Sequence, residues 1–315
     1  MLKQITDEIY RLTLPHLRRQ TVHSYLIKGE KGFTVLDTGP QTEEARAIWQ
    51  KLLSDGLAIE KVVVTHGHTD HIGLASWFQR ELKVPVIFSG IGYARLKQLR
   101  SQVLDDPESG RAILAFFRQH GAPDIPLDKI REDAVRDYFE PDEAYEPGGT
   151  VTIGDREFTA IWTPGHAQDQ FCFWNAETGL FFSGDHVLDN ISPVIPMWSE
   201  EDGSPLHDYL SSLDAVEHYA PQLALPGHGE PIGDWRARVN ELRDGHHRRL
   251  QQITDILKKG ERTAWQIAQE IYGSEVAGLQ AMLVLTGTIS RLAYLRETGK
   301  VTCRLKDDGK LYFAV

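Results

Sequence analysis

The segment THGHTDH most strongly constrains this chain. It places His66, His68, Asp70 and His71 within six residues, directly after the apolar run KVVVT. That run predicts a buried strand, and residues 71 to 82 predict a helix that follows it. Loops between strands and helices commonly carry chemistry because rigid elements hold them in place. The sequence therefore predicts a functional site on a mixed α and β scaffold.

Three further residues of the same chemical types follow strand-like runs. They are His166 in TPGH, Asp185 in SGD and His228 in PGHG. Imidazole and carboxylate are ligands that suit zinc, iron and manganese, and no cysteine is involved. A single histidine is usually structural or surface-exposed, but here four loops each end a strand with such a residue beside Gly or Pro. Seven candidate ligands are too many for one tetrahedral ion and suit two ions that share a carboxylate.

The rest of the chain predicts an α+β fold. Over the first 90 residues, strand-like runs (YRLTL, SYLI, FTVLD) alternate with an amphipathic helix over residues 42 to 54. Residues 91 to 146 have helical periodicity and an acidic end, and we interpret them as a helical insertion. Strands then resume (VTI, EFTAIW, QFCFW, GLFFSGD), followed by a helix over residues 206 to 219 and the strand QLALPGH.

The C-terminal part has a different pattern. A long helix follows Asp234, a second begins after Thr263 as a plausible N-cap, and a third follows it. The last two alternating runs are joined by Asp308-Gly309, a strong hairpin signal. Three helices and a β-hairpin are typical of a winged helix. We therefore predict two units, residues 1–234 and residues 235–315.

Composition narrows the class of protein. The 315 residues are 41% hydrophobic, which is ordinary for a globular protein and excludes disorder, collagen-like repeats and coiled coil. Two cysteines, Cys172 and Cys303, are too few for a disulfide framework. The N-terminus has no apolar signal region, and the apolar runs are shorter than the roughly 20 residues of a membrane span. We expect a cytoplasmic protein without a membrane partner.

The net charge of −11 is unevenly distributed. Residues 235–315 hold 14 Lys and Arg against 9 Asp and Glu, a balance of +5, so the first 234 residues carry −16. Such a split hints at units with different partners, although a surface charge bias more often serves solubility.

The histidine cluster matches in full the HxHxDH signature of the metallo-β-lactamase-fold hydrolases, and residues 5 to 234 resemble that family with its motifs in order. The resemblance implies an αββα sandwich with the helical insertion. It also implies two divalent ions, most simply zinc, with iron or manganese left open. The ligands carried over are His66, His68 and His166 for one ion, Asp70, His71 and His228 for the other, and Asp185 as a bridge.

Supporting residues follow from the same resemblance. Asp37 in LDTGP is similar to the family's acidic residue that steadies the metal loops without being a ligand. His186 resembles the histidine of a GDH variant; contact with substrate and burial as a hydrogen-bonded side chain both remain open. The stretch Asn190–Trp198 is either a pocket wall or a packed loop. Asp70 and Asp185 are the predicted catalytic carboxylates, with Asp70 favoured as a plain ligand.

The ligand set implies hydrolysis by a metal-bridging hydroxide, because two cations lower the pKa of a shared water to about 7. Our main hypothesis is a hydrolase of a small ester, thioester or lactone, similar to the hydroxyacylglutathione hydrolase and lactonase branches. The insertion and the seven-ligand set disfavour a true β-lactamase. A non-catalytic module that has lost its metals is disfavoured by the complete ligands.

The alternative hypothesis is a single-strand endoribonuclease guided by a basic C-terminus (Arg291, Arg296, Lys300, Arg304, Lys306, Lys310). Acidic residues of the insertion would repel a polyanion and disfavour it (Glu132, Asp133, Asp137, Glu140, Asp142, Glu143, Glu146). We therefore favour a small-molecule substrate, with nucleic acid left open. We expect the C-terminal unit to pack against the rest or to form a homodimer.

Overall fold

The structure is a computed structural model that describes residues 1–16, 20–105, 109–122 and 138–315. The strands are β1 (Leu2–Gln4), β2 (Ile9–Pro15), β3 (Thr21–Lys28), β4 (Phe33–Leu36), β5 (Ile59–Val63), β6 (Val86–Ser89), β7 (Glu143–Tyr145), β8 (Thr150–Ile153), β9 (Arg156–Trp162), β10 (Phe171–Asn175), β11 (Leu180–Gly184), β12 (Leu223–Pro226), β13 (Thr302–Leu305) and β14 (Leu311–Ala314). The helices are α1 (Glu43–Ser54), α2 (Thr69–Ile72), α3 (Ala75–Arg80), α4 (Gly90–Asp105), α5 (Ser109–Gln119), α6 (Pro205–Glu217), α7 (Trp235–Leu257), α8 (Ala264–Tyr272) and α9 (Gly278–Glu297).

Two sheets form the centre of the molecule. The first runs in the order β1-β2-β3-β4-β5-β6-β7, antiparallel up to β4 and parallel from β4 onward. The second runs β12-β11-β10-β9-β8, with only β11 and β12 parallel. One hydrophobic cluster joins the sheets: Tyr25 and Val63 of the first pack with Phe158, Phe171 and Phe182 of the second. The sheets therefore lie face to face.

Helices cover the outer faces of both sheets. A second cluster buries Trp49 of α1 and Phe78 of α3 against the first sheet. A third cluster buries Leu213 of α6 and Val239 of α7 against Phe181 of the second sheet. Four layers in the order helix, sheet, sheet, helix follow from these contacts, as the resemblance implies.

The predicted helix over residues 71 to 82 is in fact two short helices, α2 and α3. Close contact with the loop before α1 separates them. A β-carbon on Gly73 would lie 2.3 Å from the backbone nitrogen of Gln41, and the Leu74 N–H donates to Thr38 Oγ1 at 3.1 Å. Tertiary contacts thus divide a segment whose local pattern is continuous.

The insertion begins as predicted with helices α4 and α5, but its end belongs to the first sheet. Strand β7 pairs in parallel with β6, and Asp142 accepts a hydrogen bond from the Val86 N–H at 2.8 Å. The triplet Glu143–Tyr145 is too short to show alternation, so the sequence pattern did not separate it from the insertion. The acidic residues Glu132, Asp133 and Asp137 lie outside the described residues.

The C-terminal part contains the expected helices α7, α8 and α9 and the hairpin β13-β14, with Gly309 in the left-handed region. Thr263 caps α8 through a capping box with Gln266. The hydrophobic cluster on the second sheet continues into this part through Ile253, Leu285 and Phe313. A winged helix and a separate unit over residues 235–315 stay predictions from the sequence.

In the part of the chain that the structure describes, no helix combines the length and apolarity needed to cross a bilayer.

Candidate metal centre

The seven predicted ligands converge at one edge of the two sheets. His66, His68, Asp70 and His71 lie on the loop and first turn after β5, whereas the other three follow strands β9, β11 and β12. The ligand atoms form three groups, each within 4.8 Å: His66, His68 and His166; His66, His71 and Asp185; Asp70, His71 and His228. The first and third groups are the two ligand sets carried over from the family.

Asp185 lies between those two sets. Its Oδ2 is 3.4 Å from His166 Nε2 and 3.3 Å from His228 Nε2, while its Oδ1 is 3.5 Å from His71 Nε2. Asp70 Oδ2 is also 3.4 Å from His228 Nε2. One buried carboxylate therefore faces imidazoles of both sets, as a bridging ligand must.

Backbone carbonyls orient two of the imidazoles. His166 Nδ1 is 2.8 Å from the carbonyl oxygen of Val194, and His228 Nδ1 is 2.6 Å from that of Thr21. A carbonyl oxygen can only accept, so each Nδ1 carries the hydrogen and donates. When its ring is neutral, each Nε2 then presents a lone pair to the site, which is the tautomer that a metal ligand needs.

Asp37 orients two more imidazoles. Its carboxylate accepts hydrogen bonds from the Thr65 N–H, the Thr65 hydroxyl and His71 Nδ1, each at 2.8 Å. Because the Thr65 hydroxyl donates to Asp37, its oxygen is free to accept from His66 Nδ1 at 3.0 Å. Asp37 has a φ of 61°, a left-handed conformation that Asp and Asn tolerate better than most residues. The geometry matches the supporting position inferred for this residue.

His68 completes the first set of ligands. Its Nδ1 lies 3.1 Å from His66 Nε2. Burial lowers the pKa of His68 to about 3, and burial also holds the pKa of His66 well below its usual range. Both rings are therefore neutral near pH 7, the form that binds a cation.

In the second ligand set, neighbouring charges outweigh the effect of burial on the pKa values. Burial alone would raise the pKa of Asp185, but His228 and His71 hold it well below its usual range. Burial likewise opposes protonation of His228, yet Asp185 and Asp70 raise its pKa to about 10. The two carboxylates thus stay ionised and attract positive charge, which protons or metal cations can supply.

The residues fit a pair of divalent ions. His71 Nε2, His166 Nε2 and Asp185 Oδ1 are buried and have no hydrogen-bond partner among the described residues. Unpaired buried polar atoms are costly unless another group satisfies them. Gly227 leaves space for a bound group beside these atoms, because a β-carbon at residue 227 would lie 2.4 Å from Asp185 Oδ1 and 2.9 Å from His71 Cε1.

Three residues at the site were not singled out as functional from sequence. His16 Nε2 is 3.7 Å from Asp70 Oδ2. The His23 ring bonds through Nε2 to the Gly229 carbonyl at 2.7 Å, beside His228. Asp169 accepts from the Gly67 N–H at 2.8 Å and so holds the histidine loop. His16 follows Pro15 at the end of a strand, the same signal that marked the ligands, whereas the other two have no local signal.

The side chain of His186 is buried and does not lie where the predicted substrate contact would place it. Its side chain is fully buried, its ring centroid lies 5.2 Å from that of Tyr209, and the Tyr209 hydroxyl donates to its carbonyl. A residue enclosed in this way cannot reach a substrate without rearrangement. The side chain is buried as the second alternative predicted, but neither ring nitrogen has a hydrogen-bond partner among the described residues. In the stretch Asn190–Trp198, the Val194 carbonyl supports His166, which makes this loop part of the site's framework.

Comparison with known proteins supports the resemblance. Residues 17–228 match the family model described as metallo-beta-lactamase superfamily. A probable metallo-hydrolase, YqjP, from Bacillus subtilis is 29% identical over 304 residues, with 88% of each chain covered. An atrochrysone carboxyl ACP thioesterase from Aspergillus chevalieri is 25% identical, covering 87% of this chain and 76% of that protein.

The solved structures agree with the sequence comparisons. A metallo-beta-lactamase family protein from Thermus thermophilus superposes with a TM-score of 0.85 at 28% identity, over 99% of this chain and 100% of that one. The similarity thus extends through the C-terminal helices and hairpin. The chain belongs to the metallo-beta-lactamase superfamily and is a metal-dependent hydrolase of that superfamily.

Proposed function

We propose that this protein is a dinuclear hydrolase of a small-molecule thioester, with esters and lactones as chemically related substrates. The observation that carries the proposal is the position of Asp185, within 3.3 to 3.5 Å of imidazoles from both ligand sets. The thioesterase named among the relatives supports the choice of a thioester.

In this proposal His66, His68 and His166 hold one ion, Asp70, His71 and His228 hold the other, and Asp185 contacts both. Zinc suits this nitrogen and oxygen set, as iron and manganese also do. When bound, two such ions would lower the pKa of a shared water to about 7 and polarise the carbonyl oxygen under attack.

The chain's own residues keep this arrangement in place. Asp37, Thr21 and Val194 fix the imidazole tautomers, so no ring must rotate or shift a proton before it binds a cation. Asp70 is ionised, and its Oδ2 lies 3.7 Å from His16 Nε2. In this proposal the two groups orient a substrate or accept a proton at Asp70 Oδ2.

Two of the basic residues on which the endoribonuclease alternative depends form ion pairs within the fold. Arg304 and Lys306 both pair with Glu261, at 2.5 and 2.6 Å. Residues committed to contacts within the fold are less available to phosphates of an RNA strand.

Metal analysis and a thioester assay test the proposal. Purified protein should approach two ions per chain, and Asp185→Asn should lower both metal content and thioester hydrolysis. Asp155→Asn, at an exposed turn between β8 and β9, is the matched control and should change neither. A folded protein that binds no metal under any loading condition contradicts the dinuclear site. Metal-dependent cleavage of single-stranded RNA without thioester hydrolysis contradicts the substrate.

A further inference from the structure

A cavity of about 650 Å³ lies beside the metal centre, between the loop at residues 190–195 and helices α7 and α9. Its size is within the range of about 300 to 1,000 Å³ that is usual for small-molecule sites. The metal-centre ligands do not line it, and the roles described above do not involve it. It therefore calls for an explanation of its own.

The lining of this cavity carries positive charge that no described acidic residue neutralises. Arg248 and Arg249 reach it from α7, and Arg291 reaches it from α9. None of these three arginines forms an ion pair with another residue that the structure describes. Glu241 is the one acidic residue among the described lining, and Arg238 already pairs with it at 2.6 Å.

Buried polar atoms without partners among the described residues also line the cavity. Arg291 Nε and both ring nitrogens of His246 are buried and have no hydrogen-bond partner among the described residues. The His246 side chain belongs to a residue only 2% exposed. The neutral His246 ring has one donor nitrogen and one acceptor nitrogen. Leaving buried donors unsatisfied costs free energy, so an acceptor within the cavity would stabilise Arg291 Nε and the protonated nitrogen of His246. The guanidinium of Arg249 stacks on Tyr272, 4.8 Å from its ring centroid, which limits its freedom before a ligand arrives.

The cavity adjoins the metal centre through a single residue. Val194 lines the cavity, and its carbonyl accepts the hydrogen bond from His166 Nδ1. A molecule occupying the cavity would thus contact the loop that supports a proposed ligand. A long substrate with its acyl group at the metals and an anionic end some distance away suits this layout.

We propose that the cavity binds a phosphate group. Guanidinium forks match phosphate oxygens with paired, charge-assisted hydrogen bonds, and three arginines around one space suit a phosphate better than a single carboxylate. The inference rests on the proposed function in one respect: the phosphate belongs to the carrier of the thioester, as in coenzyme A. A separate phosphate ion is the other source of the same chemistry.

Binding of adenosine 3′,5′-bisphosphate, which has phosphates but no acyl group, tests the cavity independently of catalysis. Calorimetry on the metal-loaded protein should show binding that weakens with salt. Arg248→Gln and Arg249→Gln should each weaken it about tenfold, since hydrogen bonds to charged groups are the strong ones. Arg236→Gln is the matched control on the same helix, exposed and outside the cavity, and should bind like the wild type. Equal affinity in all four proteins would overturn the proposal.

Two thioesters of the same acyl group distinguish the sources of phosphate. If the carrier fills the cavity, kcat/KM for the coenzyme A ester should exceed that for the N-acetylcysteamine ester, and Arg249→Gln should reduce this ratio at least fivefold through KM. If a free ion fills it, the ratio stays near one, while inorganic phosphate binds and depends on the same arginines. A wild-type protein that binds the bisphosphate but hydrolyses neither ester would contradict the proposed function and leave the cavity assignment standing.

Discussion

Asp37→Asn isolates the contribution of one carboxylate that is not itself a ligand. The substitution changes one oxygen to an NH₂ group and keeps the side-chain shape. The left-handed backbone at this position, with φ of 61°, accepts Asn about as well as Asp. The effect should therefore come from charge and hydrogen bonding, with little contribution from backbone strain.

The magnitude follows from the three hydrogen bonds that Asp37 accepts. The amide oxygen can still accept from the Thr65 N–H, but the NH₂ group would face the Thr65 hydroxyl and His71 Nδ1, which both donate at 2.8 Å in the wild type. The amide would favour the His71 tautomer with hydrogen on Nε2, where a metal needs the lone pair. Loss of such a partner typically costs about 10- to 100-fold in metal affinity, or about 1.4 to 2.7 kcal/mol.

A competition titration with a chromophoric chelator measures this affinity directly. We expect the weaker-bound ion to be lost first, with thioester hydrolysis falling in parallel. Asp155→Asn makes the same chemical change at an exposed turn and should leave affinity unchanged. A folded Asp37→Asn protein whose metal affinity stays within twofold of the wild type would refute the reasoning from tautomers.

Three further outcomes are expected. Gly227→Ala should reduce metal content because the added methyl group would collide with the Asp185 carboxylate. The control Gly233→Ala, where a β-carbon meets nothing within 4 Å, should keep the wild-type metal content. Equal metal content in both variants would exclude the steric argument. Burial and a neighbouring arginine lower the pKa of His246 to about 3, so the folded protein loses stability as pH falls below the unfolded value of about 6.5. Measured by urea unfolding, the free energy of unfolding of the wild type should fall by about 1.4 kcal/mol more than that of His246→Phe between about pH 7.5 and about pH 5.5. The exposed control His247→Phe should keep the wild-type pH dependence, and identical slopes in all three proteins would contradict the assignment. Leu285→Ala should cost about 2 to 5 kcal/mol and lower a single unfolding transition, because its cluster reaches the second sheet; two separate transitions in calorimetry would show independent units.

The ligands could be predicted because their signal is local. Four of them fall in one short segment after a strand, and His166, Asp185 and His228 each stand beside Gly after another strand. The cap of α8 and the turn at Gly309 likewise depend on residues only a few positions apart. Asp37 was predicted through the family resemblance, from its place in LDTGP at the end of a strand.

The missed features depend on contacts between distant parts of the chain. His23 acts on Gly229, 206 residues later, and Asp169 acts on Gly67, 102 residues earlier. The break between α2 and α3 likewise comes from the backbone near Gln41. No periodicity or spacing carries such information, because the partner is set by how the two sheets pack.

The division of the ligands between the two sheets bears on how the protein matures. Each of the three ligand groups contains exactly one residue from the second half of the chain, namely His166, Asp185 or His228. A ribosome-bound chain that has not yet released His228 therefore has at most a partial site. The complete pair of ions is therefore expected to bind only after synthesis has passed that residue and the two sheets have packed together.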